Sequence, residues 1–186
     1  MIEHLSMHLR ASAELFHNPT TQLGFVLPLL VSALGSRSRP GDANQLRAME
    51  PWFALCLLYS FLSAQWDLRD DGYLAMTATP AFALCLPLLQ YSGLRLRPLQ
   101  AFALTFQNQL CAEIIFVLNS ALAGRVLVLE AGYITGIGGA GVHDGLVIYP
   151  LVGTLACAYA NMRRYGRINP PEMPGMASAA RYVMKG

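Results

Sequence analysis

One carboxylate stands inside a long apolar stretch of this chain. Residues 98–124 contain a single charged side chain, Glu113. At about 100° per residue along a helix, Glu113 shares a face with several polar side chains, and two asparagines lie on another face. The first face carries Thr105, Gln109 and Ser120, and the second carries Asn108 and Asn119. Polar groups on two faces of an apolar helix indicate contact with protein or water rather than lipid.

Two interpretations of this polar helix follow. A carboxylate inside a membrane costs about 2.5–3.5 kcal/mol on insertion scales, and such residues often mark an ion or proton path. Alternatively, the helix lies at the centre of a bundle or in a subunit interface, where its polar side chains hydrogen-bond neighbouring helices. We favour the second interpretation and keep Glu113 as the candidate for a polar path.

A glycine-rich segment, residues 131–145, follows the β-like stretch 126–129. Its glycines match the GxGxxG spacing of dinucleotide-binding loops, but no acidic residue follows about 20 residues later and no second βαβ unit exists. An outer loop that packs closely, or one that dips into the membrane and lines a cavity, fits the glycines better. The candidate glycines are Gly136, Gly138, Gly139 and Gly141.

The glycine-rich segment ends in an acid–base pair, His143 and Asp144. We interpret it as a turn in which Asp144 caps the helix that follows. In the alternative, the pair works with Glu113 or Glu130 as an acid–base or metal pair in a polar cavity.

No catalytic signature accompanies these residues. The sequence contains no serine nucleophile elbow, P-loop or HExxH motif. Its four cysteines show no CxxC spacing and no pairing with histidine at metal-ligand spacing, so we predict small apolar packing residues. They are Cys56, Cys85, Cys111 and Cys157, each in a different apolar stretch. We expect no cofactor and no metal.

The spacing of the charges predicts the elements that position these residues. Of 186 residues, 54% are apolar and 13% are charged, about half the charged fraction of a soluble domain. A membrane-spanning helix needs about 20 mostly apolar residues, and the chain contains several stretches that approach this length without a charge. We therefore predict an all-α integral membrane bundle of five spans. They are residues 19–35, 51–66, 72–91, 99–124 and 145–162.

The segments that flank the spans predict the orientation. Residues 1–18 place apolar side chains on one narrow arc, which predicts an amphipathic helix in the membrane interface. Arginines concentrate in loops 36–50 and 92–98 and in the tail 163–186, whereas loop 67–71 carries three acids and one arginine. Since basic residues in short loops mark the cytoplasmic side, the tail and the two basic loops are predicted there.

The function expected from these features is non-catalytic. We expect a small integral subunit of a larger inner-membrane assembly of the secretion, conjugation or respiratory type, with small residues on its last span: Gly153, Ala156 and Ala160. The alternative is a small oligomeric channel or carrier with Glu113 on its ion or proton path, and an intramembrane enzyme ranks third. The expected partners are the lipid bilayer and other membrane subunits or further copies of the chain. A net charge of +2 gives no reason to expect nucleic acid.

Overall fold

The computed structural model describes residues 19, 22–37, 42–68, 74–122 and 145–171. These residues form five α-helices and a β-hairpin. The elements are α1 (Leu27–Gly35), α2 (Asp42–Leu62), β1 (Gln65–Leu68), β2 (Leu74–Thr77), α3 (Ala81–Tyr91), α4 (Pro98–Leu122) and α5 (Gly145–Tyr165). A π-helical turn, Gln22–Val26, leads into α1. The helical architecture predicted from the sequence is confirmed for these residues. The sequence analysis did not predict the β-hairpin. The predicted interfacial helix 1–18 and glycine-rich residues 131–144 lie outside them.

Helix α4 is the element around which the bundle is organised. Helices α1, α2 and α5 pack along it, and α3 packs mainly against α5 and α2. The apolar core accordingly forms two clusters. The larger one joins α2, α3 and α5 around Phe82 and Leu86, and the smaller one joins α1, α4 and α5 around Phe106.

Two glycines allow helices to approach α4 closely. A Cβ at Gly35, the last residue of α1, would collide with the backbone carbonyl of Leu99, and a Cβ at Gly153 of α5 would lie 2.9 Å from Thr105 Oγ1. Small residues at helix crossings permit this kind of backbone contact in membrane bundles. The small residue predicted at Gly153 therefore lies at the α4–α5 crossing.

The third predicted span, 72–91, is not a single helix. Strand β2 pairs antiparallel with β1, with Gln65 opposite Thr77 and Leu68 opposite Leu74, and α3 begins only at Ala81. A residue that precedes proline disfavours the helical conformation, and Pro80 lies directly before α3. The apolar composition of this region therefore predicted a longer helix than the backbone allows.

The second predicted span, 51–66, differs at both ends. Helix α2 begins at Asp42 and contains Pro51 in its interior, whereas the predicted span begins at Pro51. It ends at Leu62, and the next residues turn into β1. The polar turns before Pro51 are thus helical, and the boundary of the apolar stretch is not the boundary of the helix.

Length and composition distinguish the helices. At about 1.5 Å per residue, α2, α4 and α5 each reach roughly 30 Å or more, about the thickness of the hydrocarbon core of a bilayer. Among the described helices, α5 alone is both long and apolar enough to cross a membrane, and 33% of its most apolar window is buried. Residues Gln22–Gly35 and helix α3 are apolar but shorter.

The exterior of the bundle is apolar and its interior holds polar side chains. Large apolar residues are exposed on every helix, including Leu88 of α3 at 70% and Leu155 of α5 at 69%. The buried polar side chains are Ser32, Ser60, Gln90, Gln100, Thr105, Asn108, Gln109 and Asn161. Soluble proteins place such residues mostly at the surface, whereas here they are buried beside the apolar core while large apolar side chains are exposed.

Candidate functional site

The polar residues of α4 lie against two neighbouring helices. Thr105 and Gln109 are buried and face α5, where a Cβ at Gly153 would contact Thr105 and one at Gly145 would lie 3.7 Å from Gln109 Nε2. Asn108 is buried on the other side, and its Nδ2 donates a hydrogen bond of 3.0 Å to the carbonyl oxygen of Phe53 in α2. Each of the two polar faces expected from the sequence is therefore in contact with protein at Thr105 and Gln109 on one face and at Asn108 on the other.

Glu113 lies one helical turn beyond Gln109 and is half-buried. Because Gln109 is next to Gly145, the first residue of α5, and one turn rises about 5.4 Å, Glu113 lies near the level at which α5 begins. It is thus at one end of the α4–α5 contact. Asn119, farther along α4, is exposed.

The remaining candidates are not described by the structure. Ser120 belongs to α4, but its side chain lies outside the described part. Gly136, Gly138, Gly139, Gly141, His143 and Asp144 also lie outside it. Among the described residues, no three His, Cys, Asp or Glu side chains are grouped to hold a metal ion.

A second polar cluster, not predicted from the sequence, lies where α3 and α5 end. Gln90 Nε2 donates to the carbonyl oxygen of Leu96 (3.0 Å) and to Asn161 Oδ1 (3.1 Å), while Gln90 Oε1 accepts the Leu96 N–H (3.1 Å). Asn161 Nδ2 donates to the carbonyl oxygens of Leu96 and Ile168, at 2.9 Å each. Cys157 Sγ accepts a hydrogen bond from Gln90 Nε2 at 2.8 Å. We call these five residues the Gln90–Asn161 cluster.

The sequence analysis did not predict the Gln90–Asn161 cluster, because each of the two apolar segments contains only one of the two amides. Gln90 and Asn161 both lie next to arginine-bearing segments and are 71 positions apart, so each resembles a polar residue at the end of a span. The sequence did contain a signal for this contact. Two apolar stretches that are predicted to end on the cytoplasmic side each carry an amide near their last residue. Gln90 and Asn161 are 2% and 1% exposed, so they bond within the protein and do not lie at a surface that faces water or lipid headgroups.

Three basic segments meet around this cluster. Arg164 Nη1 donates to the carbonyl oxygen of Gln90 (2.8 Å), which connects the end of α5 with the end of α3. The Arg95 N–H donates to Gln45 Oε1 of α2 (2.9 Å), and Arg97 Nη2 donates to the carbonyl oxygen of Arg37 (2.8 Å). We call the end formed by the described residues 36–37, 42–50, 92–98 and 163–171 the arginine end.

Tyr165 is the aromatic residue of the arginine end. The guanidinium carbons of Arg164 and Arg95 lie 5.4 and 6.0 Å from its ring centroid, within the range of cation–π attraction. The β-hairpin lies toward the opposite end of α2, where Ser60 Oγ donates to the carbonyl oxygen of Thr79 (2.9 Å). The bundle therefore has one strongly basic end.

Comparisons with known proteins do not assign a family. No protein-family model, curated protein or solved structure matched the chain. Function is therefore argued from the side chains described above.

Substitution of Asn161 tests the Gln90–Asn161 cluster. Asn161→Leu keeps the branching and the number of heavy atoms of the side chain but removes its amide, so the Ile168 carbonyl oxygen loses its donor and one Gln90 N–H loses its acceptor. We expect the free energy of unfolding to fall by about 1–3 kcal/mol, measured by denaturant titration of the detergent-solubilised protein with circular dichroism.

Asn119→Leu is the matched control, because Asn119 is exposed on α4 and its replacement should change stability by no more than about 0.5 kcal/mol. Equal effects of the two substitutions would show that the cluster does not hold the helix ends together.

Proposed function

We propose that the chain is a multi-pass integral protein of the inner membrane. The observation that carries this proposal is the exposure of large apolar side chains on all five described helices, together with the burial of several amide and hydroxyl side chains between the helices. Lipid covers an apolar exterior without penalty, whereas water does not, and polar groups inside such a bundle are satisfied by neighbouring helices. The low burial of α5 also argues against a core helix of a soluble protein, which would be mostly enclosed.

The charges of the described helices support an orientation across the membrane. Helices α1 and α3 contain no charged residue, and those of α2 all lie in its first turns. Those of α5 lie in its last turn, at the arginine end, and Glu113 is the one charge elsewhere in the five helices. By the positive-inside rule, the arginine end faces the cytoplasm and the hairpin faces the outer side.

Cysteine labelling tests this orientation. In a variant whose four cysteines are replaced by serine, a single cysteine at Ser36 or Ser92 should resist an impermeant thiol reagent in intact cells. One at Asp70 should react, because loop 67–71 is placed outside. Permeabilised cells provide the control, since all three positions should then react. Labelling at Ser36 with protection at Asp70 would reverse the orientation.

Within the membrane, we infer a non-catalytic subunit of a larger assembly. The buried polar side chains support this inference because they bond to other parts of the bundle: Asn108 to the backbone of α2, and Asn161 to the α3–α4 connection. Groups occupied in this way hold helices together and are not available to a substrate. Helix α5 also carries exposed apolar residues at helical spacing over its length, at Ile148, Leu151, Leu155, Tyr159 and Met162.

Purification in a mild detergent tests the assembly. We expect other membrane proteins to co-purify with the tagged chain at fixed stoichiometry, as identified by mass spectrometry and by the mass of the complex. An unrelated multi-pass protein with the same tag, expressed at the same level, controls for chance association. A pure homo-oligomer would favour the channel alternative, and a monomer would contradict both proposals.

One observation supports that alternative, a small channel or carrier with Glu113 on its path. Thr105 Oγ1 is buried and has no hydrogen-bond partner among the described residues. Together with Gln109, it forms a short row of polar groups on the face of α4 that leads to Glu113. Such a row resembles the polar lining of an ion path, although the apolar contact with Gly153 leaves little space at Thr105.

Glu113 substitutions separate the two functions. Glu113→Gln keeps size and hydrogen bonding and removes ionisation, so a packing role predicts nearly unchanged stability and activity. Glu113→Leu removes the polar group and, on the same role, should cost about 1–3 kcal/mol of stability. The measurements are thermal stability in detergent and complementation or flux into proteoliposomes.

Ile114→Leu is the control, because Ile114 is the exposed neighbour of Glu113. A stable Glu113→Gln protein that has lost its activity would reverse our preference, because proton transfer needs a titratable group.

A further inference from the structure

Two arginine side chains lie against one aromatic ring at the arginine end. The guanidinium carbon of Arg164 is 5.4 Å from the ring centroid of Tyr165, and that of Arg95 is 6.0 Å from it. Neither arginine forms an ion pair with a carboxylate in the part of the chain that the structure describes. Two like charges near one ring repel each other, so an anion that contacts both of them would stabilise this arrangement.

Hydrogen bonds to neighbouring helices fix the positions of the two arginines. Arg164 Nη1 donates to the carbonyl oxygens of Gln90 (2.8 Å) and Tyr91 (3.3 Å) at the end of α3. The backbone N–H of Arg95 donates to Gln45 Oε1 of α2 (2.9 Å), whereas its guanidinium donates no hydrogen bond to any described residue. Because the Arg95 backbone is fixed and its side chain is half-buried, the binding of a ligand there costs less entropy than on a free arginine.

An apolar surface adjoins the two arginines. Leu88 and Tyr91 are exposed one turn apart at the end of α3, and Tyr159 and Met162 are exposed on the last turns of α5. These two helices pack against each other, and Arg164 contacts the carbonyl oxygen of Tyr91 itself. A ligand with both an anionic group and hydrocarbon chains can therefore contact the cations and the apolar side chains together, whereas free phosphate contacts only the cations.

We propose that Arg95 and Arg164 bind the phosphate group of an anionic phospholipid in the cytoplasmic leaflet. The proposal rests on the membrane location and orientation proposed above, which place the arginine end at the negatively charged headgroups of that leaflet. A guanidinium donates two parallel N–H bonds to phosphate oxygens, and Tyr165 keeps both guanidinium groups near one ring. The acyl chains lie along the exposed apolar side chains of α3 and α5.

The net charge of the headgroup decides which lipid binds. In phosphatidylcholine, a quaternary ammonium lies next to the phosphate and repels the two arginines. Phosphatidylglycerol has no such cation, so its phosphate brings a net negative charge to the pair. Arg164 belongs to α5 and Arg95 to the connection between α3 and α4. A lipid that contacts both arginines therefore joins these parts of the folded chain and stabilises them by mass action.

A comparison of two lipids tests the proposal on the wild-type chain. The chain is purified in dodecyl maltoside, and its thermal unfolding is followed while dioleoyl phosphatidylglycerol or dioleoyl phosphatidylcholine is added at equal mole fraction. We expect phosphatidylglycerol to raise the unfolding temperature in a saturable manner and to stay bound in native mass spectrometry, whereas phosphatidylcholine does neither. Equal effects of the two lipids would overturn the proposal. The same rise with inorganic phosphate alone would also overturn it, because the ligand would then be free phosphate.

Arg95→Gln removes one guanidinium and leaves the backbone hydrogen bond to Gln45 in place. We expect the apparent affinity for phosphatidylglycerol to fall at least about tenfold, as for the loss of a hydrogen bond to a charged group. Arg163→Gln is the matched control, because Arg163 is exposed next to Arg164 and makes no ring contact among the described residues. It removes the same charge and should lower the affinity by about twofold or less in salt that screens exposed charges.

Equal losses in these two variants would show a general attraction to the basic surface and would overturn the site. The wild-type comparison decides the result if Arg95→Gln does not fold.

Reconstitution separates this proposal from the proposed membrane location. In liposomes of phosphatidylcholine alone, an integral protein stays with the vesicles after a wash at alkaline pH, whether or not it has a lipid site. Release of the chain would contradict the membrane location and the lipid site with it. Retention without any preference for phosphatidylglycerol would overturn the lipid site and leave the membrane location standing.

Discussion

The buried connection between α3 and α4 is the constraint on which the rest of the bundle depends. Leu96 lies in this connection with 2% exposure, so its backbone N–H and C=O must find partners within the protein. Gln90 supplies both, and Asn161 supplies a second donor to the carbonyl. An apolar residue at Gln90 would leave the buried Leu96 N–H without its hydrogen-bond acceptor. The connection, the end of α3 and the end of α5 are therefore fixed by the same hydrogen bonds.

That constraint also explains why charged and apolar regions separate so sharply. Asn161 also donates a hydrogen bond to the carbonyl oxygen of Ile168. This bond holds the residues that follow α5 against the bundle. Arg164 then covers the carbonyl oxygen at the end of α3, where a cation is favoured by the helix dipole. The arginine end is thus part of the fold as well as a signal of orientation. Arg164 caps the end of α3, and large apolar side chains such as Tyr159 and Met162 are exposed beside it.

The sequence predicted the elements best where one physical signal was sufficient. Helix α4 extends over Pro98–Leu122 and α5 over Gly145–Tyr165, close to the spans expected from gaps between charges. Hydropathy did not predict the strand Leu74–Thr77, because a short apolar stretch fits a strand as well as a helix, and Pro80 disfavours the helical conformation only at Thr79. Hydropathy also placed the start of the second span at Pro51, which lies inside α2. Composition predicts which segments are apolar, and local backbone preferences decide where their helices begin and end.

In the candidate site, too, the sequence predicted which residues share a helix face but not what that face contacts. Helical periodicity placed Thr105 and Gln109 on one face of α4 and Asn108 on another. It could not say that the first two meet α5 while Asn108 meets the backbone of α2, because the partner of a face depends on how helices pack. The contact between Gln90 and Asn161 joins residues from separate helices, and no periodic pattern relates them. Each amide is visible in its own apolar segment, but their pairing depends on how the helices pack.

Thr105 is the informative exception among the buried polar residues. Asn108, Gln90 and Asn161 all donate hydrogen bonds to backbone carbonyl oxygens of neighbouring elements, whereas the Thr105 hydroxyl has no hydrogen-bond partner among the described residues. Leaving such a group unpaired costs about 1–3 kcal/mol, so its position needs a compensating reason. One reason is shape, because the branched side chain fills the space that Gly153 leaves at the helix crossing. The same crossing places a hydroxyl one turn from Gln109 and two turns from Glu113. Thr105 therefore packs at the α4–α5 crossing and is also the first of the polar residues that lead along α4 to Glu113. Helix packing and any polar path thus use the same face of α4.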